Sequence, residues 1–308
     1  RYRLHHWPRW WLTVLTGRTF LGRMTLKPDL AQGSGLRAPG NCPQPPAQSQ
    51  GDVGTNVNLL SLILATRNRA GQLAETLTAL ARQQTQGAFT YEVLIADNGS
   101  TDETRAQVTA AQASFPVPLR YLYDDGPGKS WALNAALREA RGAICVFLDD
   151  DILAPPTWLA SLWRTFTETG ADAVTGRLLP HWPEGRPAWL PEEALATFGG
   201  MMGCVDYGPA RFTAGATRHC PWGGGNMAIR RDVLSRLGGF DVRMTRAQDT
   251  EYYQRVVQAG FAVCYEPSAA AHHVIPAERA TPAFFRQWRR KAGHYSGYLM
   301  QWKRSHLL

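Results

Sequence analysis

Between residues 59 and 169 the apolar positions alternate between two formats. Leu59–Ala65 is a compact apolar run, broken only by Ser61, and its length predicts a buried strand. Ala70–Gln84 instead spaces Leu73, Leu77 and Leu80 along one face of a helix. The alternation then repeats. Tyr91–Ala96, Leu119–Tyr123 and Ala143–Leu148 predict three further strands. Asp102–Ser114, capped by Ser100 or Thr101, and Ser130–Arg141 predict helices between them. Pro155 and Pro156 suit the first turn of one more helix, ending near Thr169. Strands that alternate with helices pair in parallel through crossovers, so this half predicts an open α/β sheet.

The second half is less regular. Pro180–Pro191 is rich in Pro, Trp and Gly and reads as a long loop. Trp222–Ile229 ends in a strand-like segment, Gln248–Ala259 reads as a helix and Phe261–Tyr265 as a short strand. Thr281–Trp302 predicts a long amphipathic helix with Phe284, Phe285, Trp288, Tyr295, Tyr298, Leu299 and Trp302 on one broad side. At the other end, Gly33–Thr55 has the composition of a linker. The chain therefore divides into a basic, Trp-rich then Pro/Gly-rich extension over 1–58, expected to be disordered, a folded unit over 59–278, and a basic aromatic helix over 279–308. The extension lacks the clean apolar run and cleavage site of a secretory signal.

Composition sharpens this division. With 44% hydrophobic and 19% charged residues, the chain can bury a core. The net charge of +8 suggests nucleic acid until it is located. Residues 1–58 carry +5 and residues 279–308 carry +7, which leaves the folded unit at −4. Nucleic acid is therefore not an expected partner. The five cysteines are scattered and form no CxxC pair, so a zinc ribbon or a disulfide framework is not expected, and a reducing, cytoplasmic setting fits. No apolar run reaches the roughly 18 residues of a spanning helix. The aromatic stripe and basic rim of the terminal helix fit peripheral contact with the inner face of an anionic membrane, and equally a helix packed over the sheet.

In an open parallel sheet, ligands bind beyond the carboxyl ends of the strands. Acids stand at three of those ends: Asp97, the pair Asp124 and Asp125, and the run Asp149–Asp151. A single strand-end Asp is common turn chemistry. Three adjacent carboxylates repel one another unless a cation or strong donors compensate, which suits Mg2+ or Mn2+ shared with a substrate phosphate. Neither a GxGxxG after the first strand nor a P-loop is present, which disfavours a dehydrogenase and a P-loop NTPase.

Seven short motifs occur in one order: Ala65–Arg69, Asp97–Asp102, Gly128–Asn134, Phe147–Asp151, Gly223–Asn226, Gly238–Asp241 and Gln248–Glu251. Together they resemble the inverting family 2 glycosyltransferases, from about Leu59 to about Gly297. The resemblance implies a GT-A fold, a Rossmann-like and mostly parallel sheet with helices on both faces. It implies a donor that is a nucleoside-diphosphate sugar, with UDP favoured, and an acceptor hydroxyl on a glycan, lipid carrier or small molecule.

The family positions then imply roles. Thr66 and Arg69 line the nucleoside pocket, and Asp97 accepts from the base ring. Lys129, Asp149 and Asp150 attend the donor diphosphate, while Asp151 with His273 holds the Mn2+ or Mg2+, His272 being the other choice of register. Asp249 is the base, with Glu251 as fallback, because Gln248 stands where Glu is frequent. Trp222, Gly224, Gly225, Asn226 and Glu251 lie near the donor sugar and acceptor, Trp222 as a stacking platform. Plainer readings stand beside these: Asp249 as a helix cap, Trp222 as core, either histidine as a packed residue. A nucleotidyltransferase and a non-catalytic nucleotide-sugar or glycan-binding module of the same fold are the alternatives.

Overall fold

A computed structural model describes residues 56–195, 199–215, 219, 220, 222–244 and 246–288. The expectations for the extension, for its linker and for the terminal helix beyond residue 288 lie outside these residues.

The expected alternation is present. Strands β1 (Asn56–Thr66), β2 (Thr90–Asp97), β3 (Leu119–Tyr123) and β4 (Gly142–Asp149) are separated by helices α1 (Ala70–Leu80), α2 (Thr104–Gln112) and α3 (Lys129–Glu139). They pair in parallel in the order β3-β2-β1-β4. After β5 (Ile152–Leu153) and α4 (Trp158–Thr169), the sheet is completed by β6 (Ala173–His181), β7 (Phe212–Thr213), β8 (Asn226–Arg230) and β9 (Val263–Val274). Helices α5 (Arg231–Leu237) and α6 (Gln248–Gln258) separate the last two strands. Strand β8 runs antiparallel between β4 and β6, β6 pairs in parallel with β9, and β5 and β7 pair with β9 antiparallel.

The side-chain alternation of β1 shows how the sheet is sandwiched. Leu60, Leu62 and Leu64 join one apolar cluster with Leu73, Leu77, Val108, Trp158 and Phe166 of α1, α2 and α4. Ile63 and Ala65 point the other way, into a second cluster with Leu133 of α3, Val233 of α5 and Tyr252 of α6. Helices therefore cover both faces, and each fully buried Leu contributes about 1.5–3 kcal/mol. A third, smaller cluster stands apart: Leu190, Met201, Met202, Ile275, Ala280 and Phe285, with Trp182, Phe284 and Trp288 packed against it.

Several expectations are corrected. The cap of α2 is neither Ser100 nor Thr101. Asp102 Oδ1 accepts from the Thr104 N–H at 3.1 Å and its Oδ2 from the Ala70 N–H at 3.2 Å. Ser100 and Thr101 instead bond Asn68, and so tie the β1 and β2 loops together. Strand β6 was not expected, and it takes in the first residues of the supposed loop at Pro180. Its apolar pattern is broken by Gly176, which the packing demands: a Cβ there would lie 1.9 Å from the Ala269 carbonyl oxygen, beside the register shift to β9. Strand β9 extends past Tyr265 to Val274, which carries both histidines into the sheet. Thr281 precedes a helix that the structure describes over 282–288.

Candidate active site

Register brings the chemistry together. Thr66 pairs with Asp97 and Ala65 with Asp149, so the ends of β1, β2 and β4 form one edge. A cleft of about 510 Å³ opens there. Thr66, Arg69, Asn98, Lys129 and Asp149–Asp151 line one side, and Met201, Met202, His273, Ile275, Arg279, Phe284 and Trp288 line the other.

The three acids are not equivalent. Asp149 is half-buried and paired with the Lys129 ammonium. Burial alone would lower that ammonium's pKa, but Asp149, with Asp150 and Asp249 further off, raises it. Asp150 is buried and turned inward. Thr66 Oγ donates to its Oδ2 at 2.6 Å and Arg69 Nη1 to its Oδ1 at 2.7 Å. Burial raises its carboxyl against the pull of Arg69. Asp150 is thus an anchor for Thr66 and Arg69, which line the cleft with their polar atoms turned to the acids. Asp151 is buried too, yet it lines the cleft and meets three positively charged or hydrogen-bonding partners. Burial would raise its carboxyl, but His273, Arg69 and Arg279 hold it well below the usual carboxylate range.

Asp151 and His273 meet because β5 pairs with the end of β9, Ile152 opposite His273. Neighbouring strand residues face opposite ways, which resolves the histidine pair: His273 lines the cleft and His272 does not. His273 Nδ1 lies 2.6 Å from the Met202 carbonyl, so it carries the proton and Nε2 faces Asp151 Oδ1 at 3.4 Å. Gly203, at φ 74°, lies flat against the ring; a Cβ would come within 2.9 Å of it.

Among the described residues no group of three or more His, Cys, Asp or Glu side chains could hold a metal ion. The residues nevertheless fit a cation that takes two protein donors and completes its shell from a ligand. A neutral imidazole nitrogen and a carboxylate oxygen are both acceptors, and at 3.4 Å they need a shared proton or cation between them.

Asp249 begins α6 across from Lys129. Its Oδ2 accepts from the Gly224 N–H at 2.7 Å, and the Trp222 indole N–H donates to its carbonyl at 2.6 Å. Burial pushes its carboxyl up, and the Thr250 N–H, Lys129 and the Gly224 N–H only partly offset that. Gly224 sits against this carboxylate, with a Cβ position 3.3 Å from Oδ2. A Cβ on Gly225 would collide with Ile152 at 2.3 Å and approach Asp149 at 3.3 Å.

Three residues expected near the sugar are structural instead. Trp222 is 2% exposed and packs on Tyr252 and Tyr253, so its ring offers no sugar platform. Asn226 is buried, bonded to the Arg177 and Ala269 carbonyls and to the Trp158 indole. Glu251 is buried and paired with Arg255 at 2.6 Å, which removes it as a fallback base.

Asp97 is also corrected. It is 1% exposed, and its oxygens accept from the Ser100 N–H at 2.8 Å and the Tyr121 hydroxyl at 2.6 Å. Its neighbour Asn98 lines the cleft. Both Asn98 amide hydrogens go to carbonyls, of Asp124 at 3.2 Å and Gly126 at 2.7 Å. What the side chain has left to offer is an acceptor, Oδ1. Asp124 serves its own turn, accepting from the Gly126 N–H. Sequence reasoning also missed Met202, Gly203 and Arg279. None has a local signal, since each acts through a contact distant in the chain.

A sequence profile described as glycosyl transferase family 2 matches residues 61–238. The succinoglycan biosynthesis protein ExoM of Rhizobium meliloti (strain 1021) is 29% identical over 235 residues, 75% of this chain and 72% of that protein. The glycosyltransferase AglE of Haloferax volcanii is 27% identical over 223 residues, 72% of this chain and 67% of that one. Among solved structures, the mannosyltransferase PcManGT from Pyrobaculum calidifontis, in complex with GDP-Man and Mn2+, superposes with a TM-score of 0.53 at 22% identity, covering 70% of this chain and 57% of that one. S. aureus TarS 1–349 in complex with UDP gives 0.54 at 19% identity, covering 70% and 60%. These similarities show a shared fold, and the chain spans less than two thirds of each of these solved relatives.

Proposed function

The chain belongs to glycosyl transferase family 2, and from that premise we propose that it transfers a sugar from a nucleoside diphosphate to an acceptor hydroxyl, with inversion, in one in-line displacement. The observation that carries this is a raised carboxylate, Asp249, held by the Gly224 N–H within electrostatic reach of the Lys129–Asp149 pair. A base for the acceptor hydroxyl and a positive charge, Lys129, for the leaving group are what a one-step displacement requires.

Asp249 takes the proton of the acceptor hydroxyl as its oxygen bonds to the anomeric carbon. The bond from that carbon to the diphosphate breaks, and its electron pair leaves with the nucleoside diphosphate. The Gly224 and Thr250 N–H groups hold the carboxylate in place for the acceptor. Burial strengthens the base by raising its pKa. Lys129 supplies a point charge to the departing phosphates. A divalent cation, Mn2+ or Mg2+, would be held by Asp151 and His273 and would supply further charge for the leaving diphosphate. The Mn2+ and nucleotide complexes of the solved relatives support this choice of ligands. Asn98 Oδ1, rather than Asp97, is the acceptor offered to a ring N–H of the base, which suits uracil.

Asp249→Asn tests the assignment. Transfer should fall by about 10²–10⁴-fold while Mn2+-dependent UDP affinity stays near wild type. Retained transfer rejects Asp249 as the base.

A further inference from the structure

The wall opposite the acids carries one cation onto them. Arg279 Nη1 lies 3.4 Å from Asp151 Oδ2, an oxygen that Arg69 already holds at 2.9 Å. His273 faces the other oxygen at 3.4 Å. Arg279 itself comes from a short turn, Ala277–Arg279, fixed on both sides. Before it, the Ile275 N–H donates to the His181 carbonyl at 2.9 Å. After it, the Trp189 indole donates to the Ala280 carbonyl at 3.0 Å, and Trp189 stacks edge-on to Phe285. The backbone is thus held in place, while among the described residues the guanidinium makes only a long contact and is about one third exposed, at 32%. A guanidinium has five N–H donors in a planar fork suited to phosphate. One distant carboxylate oxygen leaves most of them unused.

We propose that Arg279 is an exchangeable cation: it holds Asp151 while no divalent ion is bound, and it engages the donor diphosphate once one is. A divalent ion at Asp151 repels a guanidinium at contact distance. The anion that enters with that ion is the diphosphate, within reach of the same cleft. Arg279 therefore opposes the bare ion and favours the ion together with its nucleotide, which couples the two ligands. The inference rests on the donor-site reading above.

The test is titration of the full chain with Mn2+ alone, and then with UDP and with GDP at saturating Mn2+. Wild type, Arg279→Gln and Arg279→Lys are compared, with melting temperature as a check on folding. Arg279→Gln should bind Mn2+ alone severalfold tighter, and the better nucleotide about tenfold weaker, the loss of one charged hydrogen bond. Arg279→Lys, a point charge without the fork, should fall between the two. A merely structural role would weaken both ligands and lower the melting temperature together, and that result overturns the exchange. Equal affinities in wild type and Arg279→Gln overturn it as well. No Mn2+-dependent nucleotide binding in the wild type would instead defeat the donor-site reading, and this inference with it.

Discussion

The two walls of the cleft are built in different ways. The wall of acids grows from the ends of β1, β2 and β4, strands whose residues are buried on both faces by two large apolar clusters. The opposite wall, with His273 and Arg279 on it, leans on the small cluster around Met201, Met202, Ile275 and Phe285. Transferring groups need a fixed frame on one side and room for substrate entry on the other. Regions with few buried contacts open at lower free energy than core strands, so the second wall is the side suited to admit ligands.

The contrast can be broken from either side. Leu62→Ala, in the centre of β1, should destabilise the whole chain by about 2–5 kcal/mol, read as a shift of the urea midpoint. Phe285→Ala should lower the midpoint less than its size suggests, because the small cluster can open locally while the sheet stays folded, yet it should lower Mn2+-dependent nucleotide affinity by loosening Arg279. If the two variants lose stability equally, the walls are one cooperative unit and the comparison fails. A gentler cut is Gly203→Ala. The left-handed backbone at φ 74° and a ring 2.9 Å from the new Cβ should displace His273, weakening Mn2+ binding with little change in melting temperature.

The smallest expected effect is a displaced pH limb. Asp249 acts as a base only when ionised, and burial raises its pKa. The rate should therefore fall as pH drops through a value above the about 3.9 of an ordinary aspartate. A kcat/KM profile that is flat down to about pH 4 would contradict this.

The same division governs what the sequence disclosed. Elements of the first wall were legible because each is one uninterrupted pattern: Leu119–Tyr123 was bounded as found, and β1, β2 and β4 differ from expectation only at their ends. The acid run was legible because like charges at a strand end need an explanation. Strand β6 was hidden, since Gly176 and Pro180 look like loop residues and are tolerated only by long-range packing. Asp97 is buried while its neighbour Asn98 lines the cleft, because adjacent residues at a strand end point opposite ways, and nothing local says which faces the cleft. Trp222, Asn226 and Glu251 misled for a related reason. Polar and aromatic residues beside a site are as often its scaffold as its surface, and only burial and partners tell them apart. Arg279 and the Met202 carbonyl were beyond reach, because their meaning lies wholly in contacts with Asp151 and His273.

The most direct test of the account is a calorimetric titration of the full chain with UDP, GDP, dTDP and CDP, each with and without Mn2+, on wild type and Asp151→Ala. The account predicts that at least one nucleotide, UDP first, binds wild type only when Mn2+ is present, and that Asp151→Ala abolishes that dependence along with most of the affinity. Tight nucleotide binding that ignores both Mn2+ and Asp151, or no binding by any of the four, would contradict it.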